Sequence, residues 1–417
     1  MTEARGDYTP AARGGWGADG PLAFVCPRYG KEVLGGAEIV VRQMAERLVA
    51  ADLPVEVLTT CAIDHSTWAN DYPEGPDEVN GVPVMRFPIE RGSGRYHWPI
   101  GERVGAGLPV SLEEQELWLN DGFRSARLYH HLMETHDAYH TIVFTPYMFW
   151  TTYACSQIAP HKSVLRPCLH DEPFARLEIY RPQFANARGI MFNTPPEAEL
   201  AQQLFDLPDR WEVVGEGLEI PDTYDADRFR SQTGIDRPFV LYTGRREWGK
   251  NVDMLADLFA TYIARTGRDV DLVLGGRGEV VIPPGVGDRV HDLGYLDDQT
   301  MHDALAAATV VVQPSLWESF SRLVMEAWLA STPVLAYGAC AVSAYHVKTS
   351  GGGLVFDDAD TFEAALDLLL DSADLRSQMA ANGRAYVLDR YTWDTVLERF
   401  VACVRTWAEH DLSRAHR

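Results

Sequence analysis

The sequence predicts an α/β protein built from two Rossmann-like, doubly wound parallel-sheet domains facing a cleft. Three observations carry that expectation. A chain of 417 residues with 46% hydrophobic content exceeds one ordinary core and suffices for two of roughly 150–200 residues each. Short apolar runs of strand type alternate with amphipathic helical patterns, the grammar of parallel sheets covered by helices on both faces. The alternation starts twice, at Leu22 and again at Phe239, on either side of an irregular segment over 215–227 that holds glycines, Pro221 and acidic residues and reads as a linker.

Residues 1–20 are rich in Gly, Ala and charge without periodicity and read as a loose tail. A first domain is expected over 21–218. LAFVCPRYG, from Leu22, begins as a buried strand, and Gly35-Gly36-Ala37-Glu38 opens a helix with Val41, Met44, Ala45, Leu48 and Val49 on one face. VEVLTT at 55–60 closes the strand–glycine loop–helix–strand unit. Further strands are expected at 84–87, 141–144, 164–169, 189–193 and 211–214.

The second domain, over 219–392, repeats the pattern more cleanly. FVLYTG at 239–244 is a strand, Asn251 an N-cap, and Leu255, Leu258, Phe259 and Ile263 the apolar stripe of the helix that follows. Strands at 271–276, 290–294, 309–314, 333–337 and 353–356 alternate with helices starting near Gln299, Phe320 and Ala359. The last segment, 393–417, is helical with no strand after it, so it is expected to return to the first domain. Ligands of such sheets bind outside the carboxyl ends of the strands.

The chemistry concentrates in 310–334, VVVQPSLWESFSRLVMEAWLASTPV. Glu318 and Glu326 stand eight residues apart, at most roughly 12 Å along a helix and within a quarter turn of one face, so that they grip two ends of one long polar ligand. Between them, helix N-terminal amides near Ser321, Arg322 and Leu323 offer a phosphate site. A diphosphate with a sugar at each end fits that description. Arg245 and Lys250 follow the 239–244 strand and place two cations in the loop at its carboxyl end. Alone, GRREWGK reads as ordinary surface charge in a turn; beside the glutamate pair it completes an anion site.

Composition excludes other classes. A formal charge of −23 argues against a sequence-independent nucleic-acid binder, which needs a cationic surface. The six cysteines stand at neither metal nor redox-motif spacing, so no metal and no disulfide is expected. The acidic repeat Asp225-Ala226-Asp227 falls in the linker and reads as solvated rather than as a metal clamp. With no run of eighteen apolar residues and no apolar signal core, a cytoplasmic location is expected. Peripheral association with the inner face of a membrane is left open, although the acidic balance offers no polybasic face.

GRREWGK, LVLGGRGE, HDLGYL and PSLWESFSRLVMEA, in this order and spacing, resemble the nucleotide-binding domain of the retaining GT-B glycosyltransferases, family 4, over 239 to about 397. The resemblance implies the GT-B fold and a nucleotide-sugar donor. It implies that Arg245 and Lys250 bind the donor diphosphate, Glu326 the ribose hydroxyls and Glu318 the transferred sugar, with backbone around Gly294-Tyr295-Leu296 beside the base. The family's E-G-F-G is Glu318-Ser319-Phe320-Ser321 here, which leaves donor identity open. In the first domain, Gly35 to Glu38 matches the family's glycine loop, with Gly36 at the donor, and His170-Asp171 matches a strand-end histidine near the reacting carbon. The strand-end run 193–197 and the hinge 215–219 match as well. The segment 338–356 resembles a family variant, with no role assigned to Cys340, His346 or Lys348. MRFPIERGSGRYHWP at 85–99 reads as a solvated loop, although its arginines and aromatics suit a sugar ring or anionic headgroup; MFW at 148–150 suits either core packing or the acceptor side.

The expected function is transfer of a sugar from a nucleoside-diphosphate-sugar to a hydroxyl of a glycan, glycolipid or small molecule, with retention of configuration and no cofactor or metal. The rival readings are a nucleotide-sugar epimerase or phosphorylase of the same fold, separable by product, and a non-catalytic nucleotide-sugar-binding protein, separable by nucleotide release.

Overall fold

The computed structural model describes Trp16 and residues 20–415. Two compact units emerge: one takes the chain through Gly217 together with Asp394 onward, the other Leu218–Trp393. Each is built on a mainly parallel sheet, as the alternating pattern predicts. No helix among the described residues is long and apolar enough to cross a membrane.

The strands of the first unit are β1 (Leu22–Val25), β2 (Val55–Thr60), β3 (Gly75–Val79), β4 (Val82–Phe87), the two-residue pair β5 (Glu90–Arg91) and β6 (Phe123–Arg124), β7 (Thr141–Phe144), β8 (Ser163–Leu165), β9 (Gly189–Phe192) and β10 (Trp211–Val213). Eight of them form a sheet in the order β10-β9-β8-β7-β1-β2-β4-β3, with only β3 antiparallel to its neighbour. β1, β7 and β9 are buried along their whole length, which is why they read as continuous apolar runs rather than as alternating ones. β8 stops at Leu165, short of the expected 169. Pro167 has no N–H for a ladder and Cys168 turns into the left-handed region at φ 52°. The carboxyl-terminal helix, Trp393–Ala415, contributes to this unit from Asp394: Phe400 stacks on Phe24 at 5.8 Å, and Trp407 lies over Gly189, where a Cβ would strike its ring.

Two expectations are corrected here. Trp16, placed by composition in a loose tail, is buried; its indole N–H donates to the Pro54 carbonyl at 2.8 Å and its ring stacks on His140. The rest of that tail, except Gly20, lies outside the described residues. The 85–99 segment is not simply a solvated loop: it holds the end of β4, all of β5 and the start of helix His97–Gly105. Arg86 is buried, donates to Asp77 at 2.8 Å and the Tyr29 carbonyl at 2.7 Å, and lies 3.8 Å above the Tyr72 ring. It is a core cation, because a buried guanidinium is tolerated only where several acceptors meet its fork.

In the second unit β11 (Phe239–Thr243), β12 (Asp271–Gly275), β13 (Val290–Gly294), β14 (Val310–Gln313), β15 (Val334–Tyr337) and β16 (Gly353–Phe356) form an all-parallel sheet in the order β13-β12-β11-β14-β15-β16. Helices Val252–Thr266, Asp298–Ala307, Arg322–Leu329, Ala341–Ser350, Ala359–Asp371 and Ala373–Arg390 accompany it. The largest fully buried side chain is Trp328, whose ring fits against Gly352 and Gly383 while its N–H donates to the Gly352 carbonyl at 2.7 Å. That choice satisfies the one polar atom of a large apolar side chain.

His346 is fully buried among aromatic rings, 5.7 Å from Phe320 and 5.8 Å from both Tyr386 and Tyr391, with Nδ1 2.9 Å from the Tyr386 hydroxyl. Burial drives its pKa down to about 3. The folded chain therefore keeps this ring neutral while the unfolded chain protonates it below about pH 6.5. Stability from this site is fully present above that value and is lost as pH falls toward 3. In urea titrations of the full chain, the stability difference between the unaltered protein and His346→Phe should shrink on acidification from pH 7 to 4, by at most about 1.4 kcal/mol per pH unit. A difference that is constant over that range would contradict a neutral buried imidazole.

Candidate active site

The strand order of the second unit reverses between β11 and β14: the chain leaves β11 toward β12 on one side, while β14 begins the return on the other. In open parallel sheets the loops that diverge at such a point leave a crevice at the carboxyl edge. The loops after β11 and β14 are fastened to each other there. Leu316 N–H donates to the Gly249 carbonyl at 2.9 Å, and the Asn251 amide donates to the Pro314 carbonyl at 3.3 Å. Asn251 was expected to cap its helix. It does stand at the N-cap position, but with φ 57° and no side-chain cap bond, because its amide is turned across the switch point instead.

Across this fastening, Lys250 Nζ lies 2.7 Å from Glu318 Oε1. The same oxygen accepts from Gln313 Nε2 at 3.0 Å, and Gln313 also donates to Ser321 Oγ at 2.8 Å. Ser321 and Ser343 hydroxyls are 3.0 Å apart. Gln313 is the last residue of β14 and is buried, so a rigid strand end fixes both the carboxylate and the start of the next helix. Sequence reasoning passed over Gln313. The available signal was a lone amide closing the apolar run VVVQ, since a buried amide must find partners.

The helix carrying Glu326 starts at Arg322, not at Phe320, and Glu318 lies before it. The two glutamates therefore do not share one helical face; the expected helix spacing is replaced by a turn. Ser321 takes the left-handed conformation, φ 69°, which costs a non-glycine residue about 1–2 kcal/mol. Its hydroxyl is drawn to Gln313 and Ser343, and no side chain caps the helix. The first turn, at Arg322 and Leu323, places the positive end of the helix dipole on this edge of the sheet. Glu326, one turn on, is 3.5 Å from Arg322; burial holds its carboxyl above the usual range, with Arg322 opposing.

Arg245 lies in the same loop after β11 as Lys250. It is half exposed and paired with exposed Glu247 at 2.8 Å, while its carbonyl accepts from the Tyr242 hydroxyl at 2.8 Å. An exposed pair of this kind is worth about 0–1 kcal/mol, so an arriving anion displaces Glu247 cheaply. The next residue, Arg246, is structural: its buried guanidinium grips Asp292 through two bonds, at 2.7 and 2.5 Å, and Asp292 accepts from Gly294 N–H at 3.0 Å. Gly294 accepts from Gly276 N–H, the Leu296 side chain covers Gly275, and Tyr295 is exposed with the Arg277 guanidinium 5.1 Å over its ring. Gly294 ends β13, and Arg245, Lys250, Tyr295, Leu296, Glu318, Ser321, Arg322 and Leu323 follow strand ends on the same edge of one sheet.

In the first unit, Gly36 begins helix Gly36–Ala50 and is exposed, with open space where a Cβ would point. Gly35 is different. A methyl there would collide with the carboxylate of Glu38, which is buried against Arg28. His170 lies after β8 with Nδ1 3.3 Å from Glu172, whose carboxylate accepts from the Tyr147 hydroxyl at 3.0 Å. Its segment is tied down by Glu197, which accepts from the N–H groups of Leu169 and Asn193 and so links the ends of β8 and β9. Burial pushes the Glu197 carboxyl up to about 8 in spite of those two donors.

The two glycines therefore carry opposite expectations. Gly35→Ala should destabilise the protein by about 1–3 kcal/mol through overpacking against the Glu38–Arg28 pair, whereas Gly36→Ala should unfold with the unaltered midpoint. Chemical denaturation of both variants checks this, and equal losses would show that the glycines are interchangeable turn residues.

Residues 224–386 match the family model described as glycosyl transferases group 1. Among curated relatives, the chain is 24% identical over 216 residues to an uncharacterized glycosyltransferase of Methanocaldococcus jannaschii, covering 48% of this chain and 55% of that protein. The chain spans about half the length of the curated relatives it matches. Among solved structures, sucrose-phosphate synthase from Thermosynechococcus elongatus superposes with a TM-score of 0.69 at 18% identity, covering 93% of this chain and 98% of that one. Anabaena HepE in complex with UDP and glucose superposes with a TM-score of 0.65 at 17% identity, covering 94% and 99%. The second unit thus matches the glycosyl transferases group 1 family, and the chain has the α/β fold of the GT-B glycosyltransferases.

Proposed function

We propose that this protein transfers a sugar from a nucleoside-diphosphate-sugar to an acceptor hydroxyl with retention of anomeric configuration, as a family 4 enzyme. The observation that carries this reading is the Lys250–Glu318 contact beside an uncapped helix N-terminus at the sheet's switch point. A diphosphate leaving group gathers negative charge as the bond to the sugar breaks. Arg245, Lys250 and the first-turn amides near Ser321, Arg322 and Leu323 are the groups that would stabilise that charge more in the transition state than in the ground state. With that much positive potential supplied by the chain, the chemistry requires no metal.

Glu318 is half of an existing ion pair, and donor binding would trade part of that pair for sugar hydroxyls, so its task is orientation. Glu326, held above the usual carboxylate range by burial, would accept ribose hydroxyls, and Gly294, Tyr295 and Leu296 would flank the base. In the first unit the resemblance assigns Gly36, at the start of its helix, a role toward donor phosphate and His170 a role toward the transferred sugar. Retention requires attack from the leaving-group face, so a diphosphate oxygen would take the acceptor's proton. Anabaena HepE, a protein of the same fold, is known in complex with UDP and glucose, which supports a nucleotide ligand for this chain. The base, sugar and acceptor class stay those of the general reading: a nucleotide sugar, and a glycan, glycolipid or small-molecule hydroxyl.

The test is nucleoside diphosphate release from a panel of nucleotide sugars and acceptors, with the product's anomeric proton coupling read by NMR. Lys250→Ala and Arg245→Ala should each lower kcat about 10²–10³-fold at an unaltered unfolding midpoint. Near-normal turnover in both variants would sink the assignment, and an inverted product would sink retention alone. Gln313→Leu, which removes the amide that holds Glu318 and Ser321, should lower kcat about tenfold or more with little change in donor KM. Unaltered kcat in that variant would show that Lys250 alone suffices to place the carboxylate.

A further inference from the structure

Trp248 is 74% exposed, more than any other tryptophan among the described residues, and it stands in the loop between Arg245 and Lys250. Its ring centroid lies 4.8 Å from that of Trp317 at an interplanar angle of 55°. Trp317 immediately precedes Glu318 and packs over Gly249, where a Cβ would come within 2.7 Å of its ring. The same Gly249 carbonyl holds Leu316 N–H at 2.9 Å. Two loops that could have turned any residues outward therefore present two indoles, at an angle to each other and on a fixed backbone, within two residues of the Lys250–Glu318 contact on each strand of chain.

Leaving a large aromatic face in water forfeits the burial that normally draws tryptophan inside, so an exposed indole on an ordered loop is informative where an exposed leucine is not. The polar groups next to it narrow the ligand. A wholly apolar ligand would have to desolvate the Lys250 ammonium and the Glu318 carboxylate without repaying them. A pyranose fits both requirements: one face of the ring is a patch of C–H groups that packs on an aromatic surface, and its edge carries hydroxyls for a cation and a carboxylate.

We propose that Trp248 and Trp317 form a carbohydrate subsite that receives a pyranose ring beside the Lys250–Glu318 pair. The inference rests on the transferase reading and deepens it by naming a ring-stacking contact. Glu318 is 12% exposed at its side chain, so a sugar lodged on it sits deeper than one lying on Trp248. That difference in depth favours the acceptor's ring on Trp248 and the donor's on Glu318.

Proton–nitrogen correlation of the indole N–H groups tests this on the full chain labelled at tryptophan, with the two signals assigned by their loss in Trp248→Phe and Trp317→Phe. The probes are methyl α- and β-glycosides of glucose, galactose and mannose, and UDP-glucose and GDP-mannose. Free glycosides moving both signals would place an acceptor ring on the subsite; movement by a nucleotide sugar alone would place the donor's sugar there. In either case Trp248→Ala should weaken the titration, followed at Trp317, roughly tenfold, while Trp248→Phe retains it within about threefold. The subsite is overturned if no probe moves either signal, or if Trp248→Ala titrates like the unaltered protein. Nucleotide release measured on the same samples separates the two levels: release without indole movement removes the subsite alone, and indole movement without release from any donor keeps the subsite and removes the transfer reading.

Discussion

The contact on which the site depends is a carboxylate held from two sides: Glu318 accepts from Lys250 in the loop after β11 and from Gln313 at the end of β14. Those two strands are neighbours in the sheet but run their chains in opposite directions around it. A doubly wound sheet therefore creates the crevice, and this one carboxylate spans it. Had Glu318 been anchored only by Lys250, a flexible four-carbon stem would have set its position. The Gln313 amide, buried at a strand end, replaces that freedom with a fixed donor.

The same logic explains why the helix after Glu318 begins with a strained residue. Ser321 spends its hydroxyl on Gln313 and Ser343 instead of capping, which forgoes the roughly 1 kcal/mol that a side-chain cap contributes. Stability is instead supplied nearby, by Trp328 packed against two glycines and by the ring cluster around His346. The first unit shows a parallel arrangement: Glu197 spends both carboxylate oxygens on the ends of β8 and β9, which fixes the segment bearing His170.

Much of this was legible in the sequence. Strands β11, β12 and β14 of the second unit were readable because they are buried along their whole length and so appear as largely apolar runs. GRREWGK was readable as part of a site only together with the glutamates, since spacing ties residues across a switch point when the fold is a doubly wound sheet. What misled was periodicity. A spacing of eight from Glu318 to Glu326 suits a helix, yet a turn intervenes, with Ser321 left-handed and its hydroxyl bonded to Gln313 and Ser343. Asn251 has the composition of a cap and the position of one, but its amide crosses to Pro314. Arg86, drawn from a segment that reads as solvent-facing, became a core cation because Asp77, Tyr29 and Tyr72 converge on it.

By itself the sequence determined the α/β class, the two starts of the alternating pattern and the residues that gather on one sheet edge, because burial periodicity and strand-end position are local consequences of side-chain order. Tertiary structure alone decided which distant partner each polar atom takes: Glu318 with Lys250, Arg246 with Asp292, Asn251 with Pro314. The physical reason is that a hydrogen bond is fixed within a few tenths of an ångström, and chain segments 46 to 68 residues apart come to that separation only after the sheet between them has formed.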